Sequence, residues 1–220
     1  MNVELIGFTP NPEKLPAMSA KLTHSKTKPE DLDKSSDKEL MSVLEQVMKL
    51  GHTSVVEHTS FTFAISDVSR SLTHQLVRHR IASYAQQSQR YVNLKEPNYV
   101  IPPKIAKDKK MKKAYDQTMK NIWEQYNKLI DLGIPAEDSR YVLPNATCTN
   151  IIVSMNARSL LNFFELRCCL HAQWEIRTLA NRMLREVKKV APTIFKTAGP
   201  ACKGKRICPE DNKKCPLYPE

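Results

Sequence analysis

The chain reads as an α+β protein, rich in helix, with a small mixed or antiparallel β-sheet and one main domain. Three observations carry that expectation. Apolar residues recur at helical spacing through several long segments, strict alternation is confined to short ones, and no internal repeat interrupts the 220 residues. With 41% hydrophobic and 26% charged residues, the composition suits a globular protein able to bury a core.

In chain order, residues 3–9 predict a strand. Ser36 followed by Glu39 makes a capping box at the head of a helix over 35–51, with Leu40, Val43, Leu44, Val47 and Leu50 as its stripe and Gly51 as its stop. Over 60–66, Phe61, Phe63 and Ile65 alternate with Thr62 and Ala64, the pattern of a half-buried strand. A helix on Leu72, Leu76 and Val77 is expected over 69–80, and a short extended piece over 99–103 is stopped by its prolines. Met111, Tyr115, Ile122, Tyr126 and Leu129 space a long helix over 107–132, closed by Gly133. Residues 147–155 are strand-like, and helices follow over 158–168 and 172–191, the last ended by Pro192. The domain is expected to fill 1–198. Residues 199–220, rich in Pro and Lys and holding Cys202, Cys208 and Cys215, read as an appended basic tail.

Several function classes fall away on composition. No apolar run approaches the ~18 residues of a membrane span, and the first residues lack the basic-then-apolar layout of a secretory signal. The six cysteines contain no CxxC, so reduced thiols and a cytoplasmic setting are expected. No metal site is expected either, since His52 and His58 are six residues apart and miss the i,i+4 face of HExxH. With five glycines in all, neither GxGxxG nor a P-loop is present. The net charge of +11 calls for an anionic partner. Six lysines crowd 104–113, either as a solvated helix start or as a nucleic-acid contact, and a basic nucleic-acid-binding protein is the alternative reading of the chain.

Two stretches carry the chemistry. From Val68 to Lys95 there is no Asp or Glu, yet Arg70, Arg78, Arg80, Arg90 and Lys95 are present with His74 and His79. An unpaired buried cation costs several kcal/mol, so the matching anion must be a distant carboxylate of the fold or a ligand phosphate, which suits arginine's planar fork. Gln75, Gln86, Gln87, Ser88 and Gln89 add neutral donors. In the second stretch, Asn156, Arg158, Asn162, Arg167 and His171 are threaded through Leu160, Leu161, Phe163, Phe164 and Leu166. On a helix Arg158 and Asn162 share a face, as do Arg167 and His171. Such polar groups form either a core hydrogen-bond network or a lined pocket. Cys168 and Cys169, flanked by apolar residues, read as packing groups.

Arg78-His79-Arg80, seven residues and Ser88, followed by Gln-Arg-Tyr, resembles the signature of the flavin-dependent thymidylate synthases. The stretch NARSLxNFxxLR with HAQWE after it, at 156–175, is similar to that family's other hallmark. The resemblance implies the family's fold and a homotetramer with active sites shared between subunits. It also implies reductive methylation of dUMP to dTMP, with methylenetetrahydrofolate as one-carbon donor and NADPH-reduced FAD as hydride donor. By the same resemblance Gln75, Ser88, Gln89, Arg90 and Arg140 would hold dUMP, chiefly its phosphate. Ser54, Arg78, His79, Arg80, Ile81, Gln86, Asn156, Arg158, Asn162 and His171 would hold or line FAD, Gln86 standing where many members carry Glu. His52 would stack on the folate or nicotinamide. Arg167 matches the arginine that binds and activates dUMP as the catalytic residue, and no cysteine nucleophile is needed.

Overall fold

The computed structural model describes residues 1–219; Glu220, the last residue of the expected tail, lies outside the described residues. The order of elements is β1 (Asn2–Phe8), α1 (Lys14–His24), a 3₁₀ turn Pro29–Lys34, α2 (Asp37–Lys49), a 3₁₀ turn Thr53–His58, β2 (Ser60–Ser69), α3 (Arg70–Leu76) and β3 (Ser83–Gln86). Then come α4 (Pro103–Ala106), α5 (Lys109–Asp131), α6 (Ala136–Ser139), a 3₁₀ turn Arg140–Val142, β4 (Cys148–Asn156), α7 (Ala157–Arg167), α8 (Trp174–Val190) and α9 (Ala201–Gly204). The α+β class with dominant helix and a small sheet is therefore what the chain adopts.

The four strands form one sheet in the order β1-β2-β4-β3. Thr9 N–H donates to Ser60 O at 3.0 Å, which sets the end of β1 against the start of β2. Arg70 N–H donates to Thr147 O and Ala157 N–H to Thr59 O, so β2 and β4 also run antiparallel. The alternation read from the sequence holds, because Phe61, Phe63 and Ile65 are buried on β2 while Thr62 and Ala64 are only partly so.

The chain divides into two compact units. One comprises residues 1–2, 65–78 and 84–152; the other comprises 3–64, 79–83 and 153–220. In the first unit the helix expected over 69–80 is shorter. Ser69 caps α3 by accepting from Leu72 N–H, and the helix stops at Leu76 because Val77 is exposed and the cations that follow offer no apolar anchor. A short strand, β3, follows where none was expected. In α5, Asp108 caps the start by accepting from Lys110 and Met111 N–H, and Gly133 at φ +82 follows its end. Its buried face is Met119, Trp123 and Tyr126, whereas Met111, placed in the stripe from spacing, is 58% exposed. Trp123 Nε1 donates to Leu94 O at 2.8 Å, which fixes that face against the preceding loop.

In the second unit Ser36 caps α2 by accepting from Glu39 N–H, and Gly51 takes φ +78 just past its end. Helix α1 was not legible in the sequence. It buries only Pro16, Ala17 and Ala20, small residues that make a weak apolar stripe, and Pro16 is tolerated in its first turn because the missing N–H has no intrahelical partner there. The core of this unit gathers Leu40, Leu44, Phe163, Phe164, Leu179 and Met183, with Phe61 and Phe195 edge to face at 5.5 Å. Ahead of α1, Glu13 Oε1 accepts from the backbone N–H groups of Thr193 at 2.6 Å and Ile194 at 2.9 Å.

Candidate active site

Within the first unit, the acid-free stretch meets its acid from 47 residues away. Arg90 Nε donates to Glu137 Oε2 at 2.9 Å, and Arg140 Nε donates to the Glu137 backbone carbonyl at 3.0 Å. Burial, and then the positive charge of Arg140, lower the pKa of Arg70. Three arginines thus gather about one loop. Among the described residues, Glu137 is the single carboxylate within ion-pair distance of any of them. A cation excess of that kind is suited to a phosphate.

The neighbouring neutral groups are ordered by the sheet. Ser88 Oγ accepts from Arg90 N–H at 3.1 Å, shaping the turn that carries both, and Gln89 between them is half-buried. Gln86, at the end of β3, donates through Nε2 to Thr73 Oγ1 and Thr149 Oγ1 at 3.2 and 3.3 Å. The side chain carries no charge. Gln75 sits half-buried on α3. Arg78 is exposed and has no carboxylate partner among the described residues.

In the second unit the two sequence motifs meet. Arg167, the last residue of α7, donates through Nε to His79 Nε2 at 3.0 Å. The His79 ring lies edge to face on Phe163 with centroids 4.9 Å apart. Burial, reinforced by the charge of Arg167, lowers the His79 pKa from 6.5 to about 4. The imidazole is therefore neutral, with Nε2 as acceptor and the proton on Nδ1. Arg80 and Ile81 follow on the surface, with Ile81 75% exposed.

Around the start of α7 the fold builds a cavity of about 740 Å³, within the ~300–1,000 Å³ usual for ligand sites. Arg158 and Asn162 line it from one face of α7, and Gly51 and Thr53 bring in the segment that carries His52 and Ser54. Its apolar wall includes Met48, Leu161 and Ile194, and its cations include Lys49 and Lys196. Planar rings and phosphates both find complementary surface there, so the cavity suits a flavin nucleotide in chemistry and in size. Arg158 Nη1 pairs with Glu57. The exposed His52 ring stacks on His24 at 6.4 Å. Asn156 caps α7, its Oδ1 accepting from Ser159 N–H at 2.9 Å.

One expectation fails on geometry. Arg167 and His171 were placed on one helical face, but α7 ends at Arg167, and Gln173 then caps α8 by accepting from Glu175 and Ile176 N–H. His171 lies in the turn between the helices, 3.3 Å from Glu210 of the C-terminal segment. Lys205 of the same segment pairs with Glu165 of α7 at 2.7 Å. Cys168 is 5% exposed, and burial pushes its thiol up to about 12, so it packs as a neutral group. Glu137 was missed in the sequence, because nothing in its own surroundings points back to Arg90.

A family model described as thymidylate synthase complementing protein matches residues 4–193. A flavin-dependent thymidylate synthase of Clostridium tetani is 50% identical over 98% of this chain and 93% of its own length. One from Geobacter sulfurreducens is 49% identical over 98% of this chain and 94% of its own length. Among solved structures, a UMP/dUMP methylase, PolB, from Streptomyces cacaoi bound with 5-Br dUMP shares the fold. Its TM-score is 0.75 at 23% identity, covering 89% of this chain and 93% of that one. The chain belongs to the thymidylate synthase complementing protein family, to which it is matched along nearly its whole length.

Proposed function

We propose that the chain is a flavin-dependent thymidylate synthase that methylates dUMP to dTMP. Methylenetetrahydrofolate supplies the one-carbon unit. Bound FAD, reduced by NADPH, supplies the hydride that turns the transferred methylene into a methyl group. The observation that carries the reading is the cluster of Arg70, Arg90 and Arg140, in which, among the described residues, only Arg90 lies within ion-pair distance of a carboxylate, that of Glu137.

In this reading Arg90 and Arg140 take the dUMP phosphate, with Ser88, Gln89 and Gln75 as neutral donors. Arg90 exchanges its surface carboxylate for the phosphate, which costs little because both partners are about half-exposed. Arg167 faces the uracil edge, where a fixed guanidinium stabilises the ionised imide and enriches the ring carbon to be alkylated. Flavin is held by Arg158, Asn162, Asn156 and Ser54 about the cavity, with Arg78, His79, Arg80, Ile81, Gln86 and His171 contributing. His52, exposed beside the cavity, stacks on the folate or nicotinamide. The working assembly is a homotetramer in the cytoplasm, with each active site shared between subunits.

The test begins with a spectrum. Purified protein is expected to bind FAD, lose its absorbance on addition of NADPH, and transfer deuterium from reduced flavin to dTMP. Protein that takes up no FAD, or forms no dTMP with all substrates present, would refute the reading.

A further inference from the structure

We infer that His79 is a positioning residue for Arg167, holding its guanidinium so that the two terminal amino groups are left for the uracil edge. The inference rests on the reading of Arg167 given above and deepens it. Nothing in the resemblance assigns this role, since it places His79 with the flavin.

The geometry is specific. An arginine at the end of a helix has four rotatable bonds and no intrinsic reason to face one direction. Here the Nε–H, which fixes the plane of the fork, is bound by His79 Nε2 at 3.0 Å. The acceptor is itself held by its edge-to-face contact with Phe163 at 4.9 Å, and Phe163 is fully buried. Only a neutral imidazole can accept at that nitrogen, and burial beside a cation keeps it neutral. A carboxylate in the same place would neutralise Arg167 and weaken its pull on a developing negative charge. A neutral acceptor orients the fork and leaves its charge intact. The same bond links the RHR motif to the end of the NARSLxNFxxLR motif, 88 residues apart.

The test uses the FAD-saturated enzyme with His79→Ala, His79→Gln, Arg167→Ala and the double variant His79→Ala/Arg167→Ala. His79→Ala is expected to lower kcat at least about tenfold, more than it raises KM for dUMP, because a misaimed group loses transition-state stabilisation first. His79→Gln, whose amide oxygen can accept from Nε–H, is expected to recover part of that loss. The double variant should be no slower than Arg167→Ala alone. The parent, His79→Ala, Arg167→Ala and the double variant also give a double-mutant cycle in thermal unfolding, which reads the bond without turnover, and a non-zero coupling is expected there.

A His79→Ala loss cured entirely by excess FAD would assign His79 to flavin holding and overturn the inference. So would additive losses in the double variant, or zero coupling in unfolding. If Arg167→Ala keeps the parental kcat, the reading of Arg167 falls and this inference with it. If Arg167→Ala is inactive while His79→Ala is unimpaired, the inference alone falls.

Discussion

Lowering the pH should destabilise the protein through His79, and the size of the effect follows from its surroundings. In the folded state burial, then Arg167, depresses its pKa from 6.5 to about 4. The unfolded chain therefore binds a proton that the folded chain refuses. With a depressed folded value, the contribution to stability is fully present above pH 6.5 and is lost as the pH falls from 6.5 toward about 4. At full linkage the shift corresponds to ~3 kcal/mol. The ring is only half-buried, and solvent screening reduces that to about 1–2 kcal/mol. The measurement is urea unfolding of the parent and of His79→Gln at about pH 7.5 and about pH 4.5. The rest of the chain is the same in both proteins, so its pH dependence cancels in the difference. The parent should lose about 1–2 kcal/mol more than the variant on acidification. Equal losses, or an imidazole resonance of His79 with a midpoint above about 6, would refute the assignment of a buried neutral ring beside a cation.

Glu137→Gln should change stability by less than about 1 kcal/mol, since its pair with Arg90 is half-exposed, and should tighten dUMP binding by up to about fivefold. Calorimetric titration with dUMP checks this, and a tenfold weakening would mean that Glu137 holds Arg90 in place instead of competing for it. Cys168 should resist alkylation at about pH 8 while Cys169 reacts, because Cys168 is buried with its thiol pushed up to about 12 and Cys169 is partly exposed. Mass spectrometry of labelled peptides reads the difference, and early labelling of Cys168 would contradict its burial. Ser36→Ala removes the cap of α2 and should cost about 1 kcal/mol in urea unfolding, with no change in the unfolding slope.

Helices whose buried face is large and whose ends carry their own caps were legible from the sequence. Ser36 with Glu39 marks the start of α2 to the residue, and Gly133 marks the end of α5. Helix α1 was not, because Ala17 and Ala20 bury well without adding much to any apolar pattern. The stripe on α5 was misplaced at its head for a related reason. Met111 has the right spacing, but it lies on the exposed side of the helix, among lysines. In the candidate site, the residues themselves could be singled out by charge and by motif. Their partners could not, since Glu137, Glu57 and Glu210 are fixed only by the tertiary fold. The pairing of Arg167 with His171 illustrates the limit, because periodicity cannot foresee where a helix stops, and the stop moved His171 off the face.

The two hydrogen bonds that Glu13 accepts from the backbone of Thr193 and Ile194 bear on how the protein comes off the ribosome. Thr193 and Ile194 line the cavity, yet their amide groups are anchored by a side chain made about 180 residues earlier. Glu13 must wait for about 180 further residues to be made before that wall can close. A nascent chain therefore has a long period in which α1 is present and its anchor point is not. The cavity cannot be completed before that anchor is met, and losing Glu13 ahead of α1 would unfasten a wall that lies far from it in sequence.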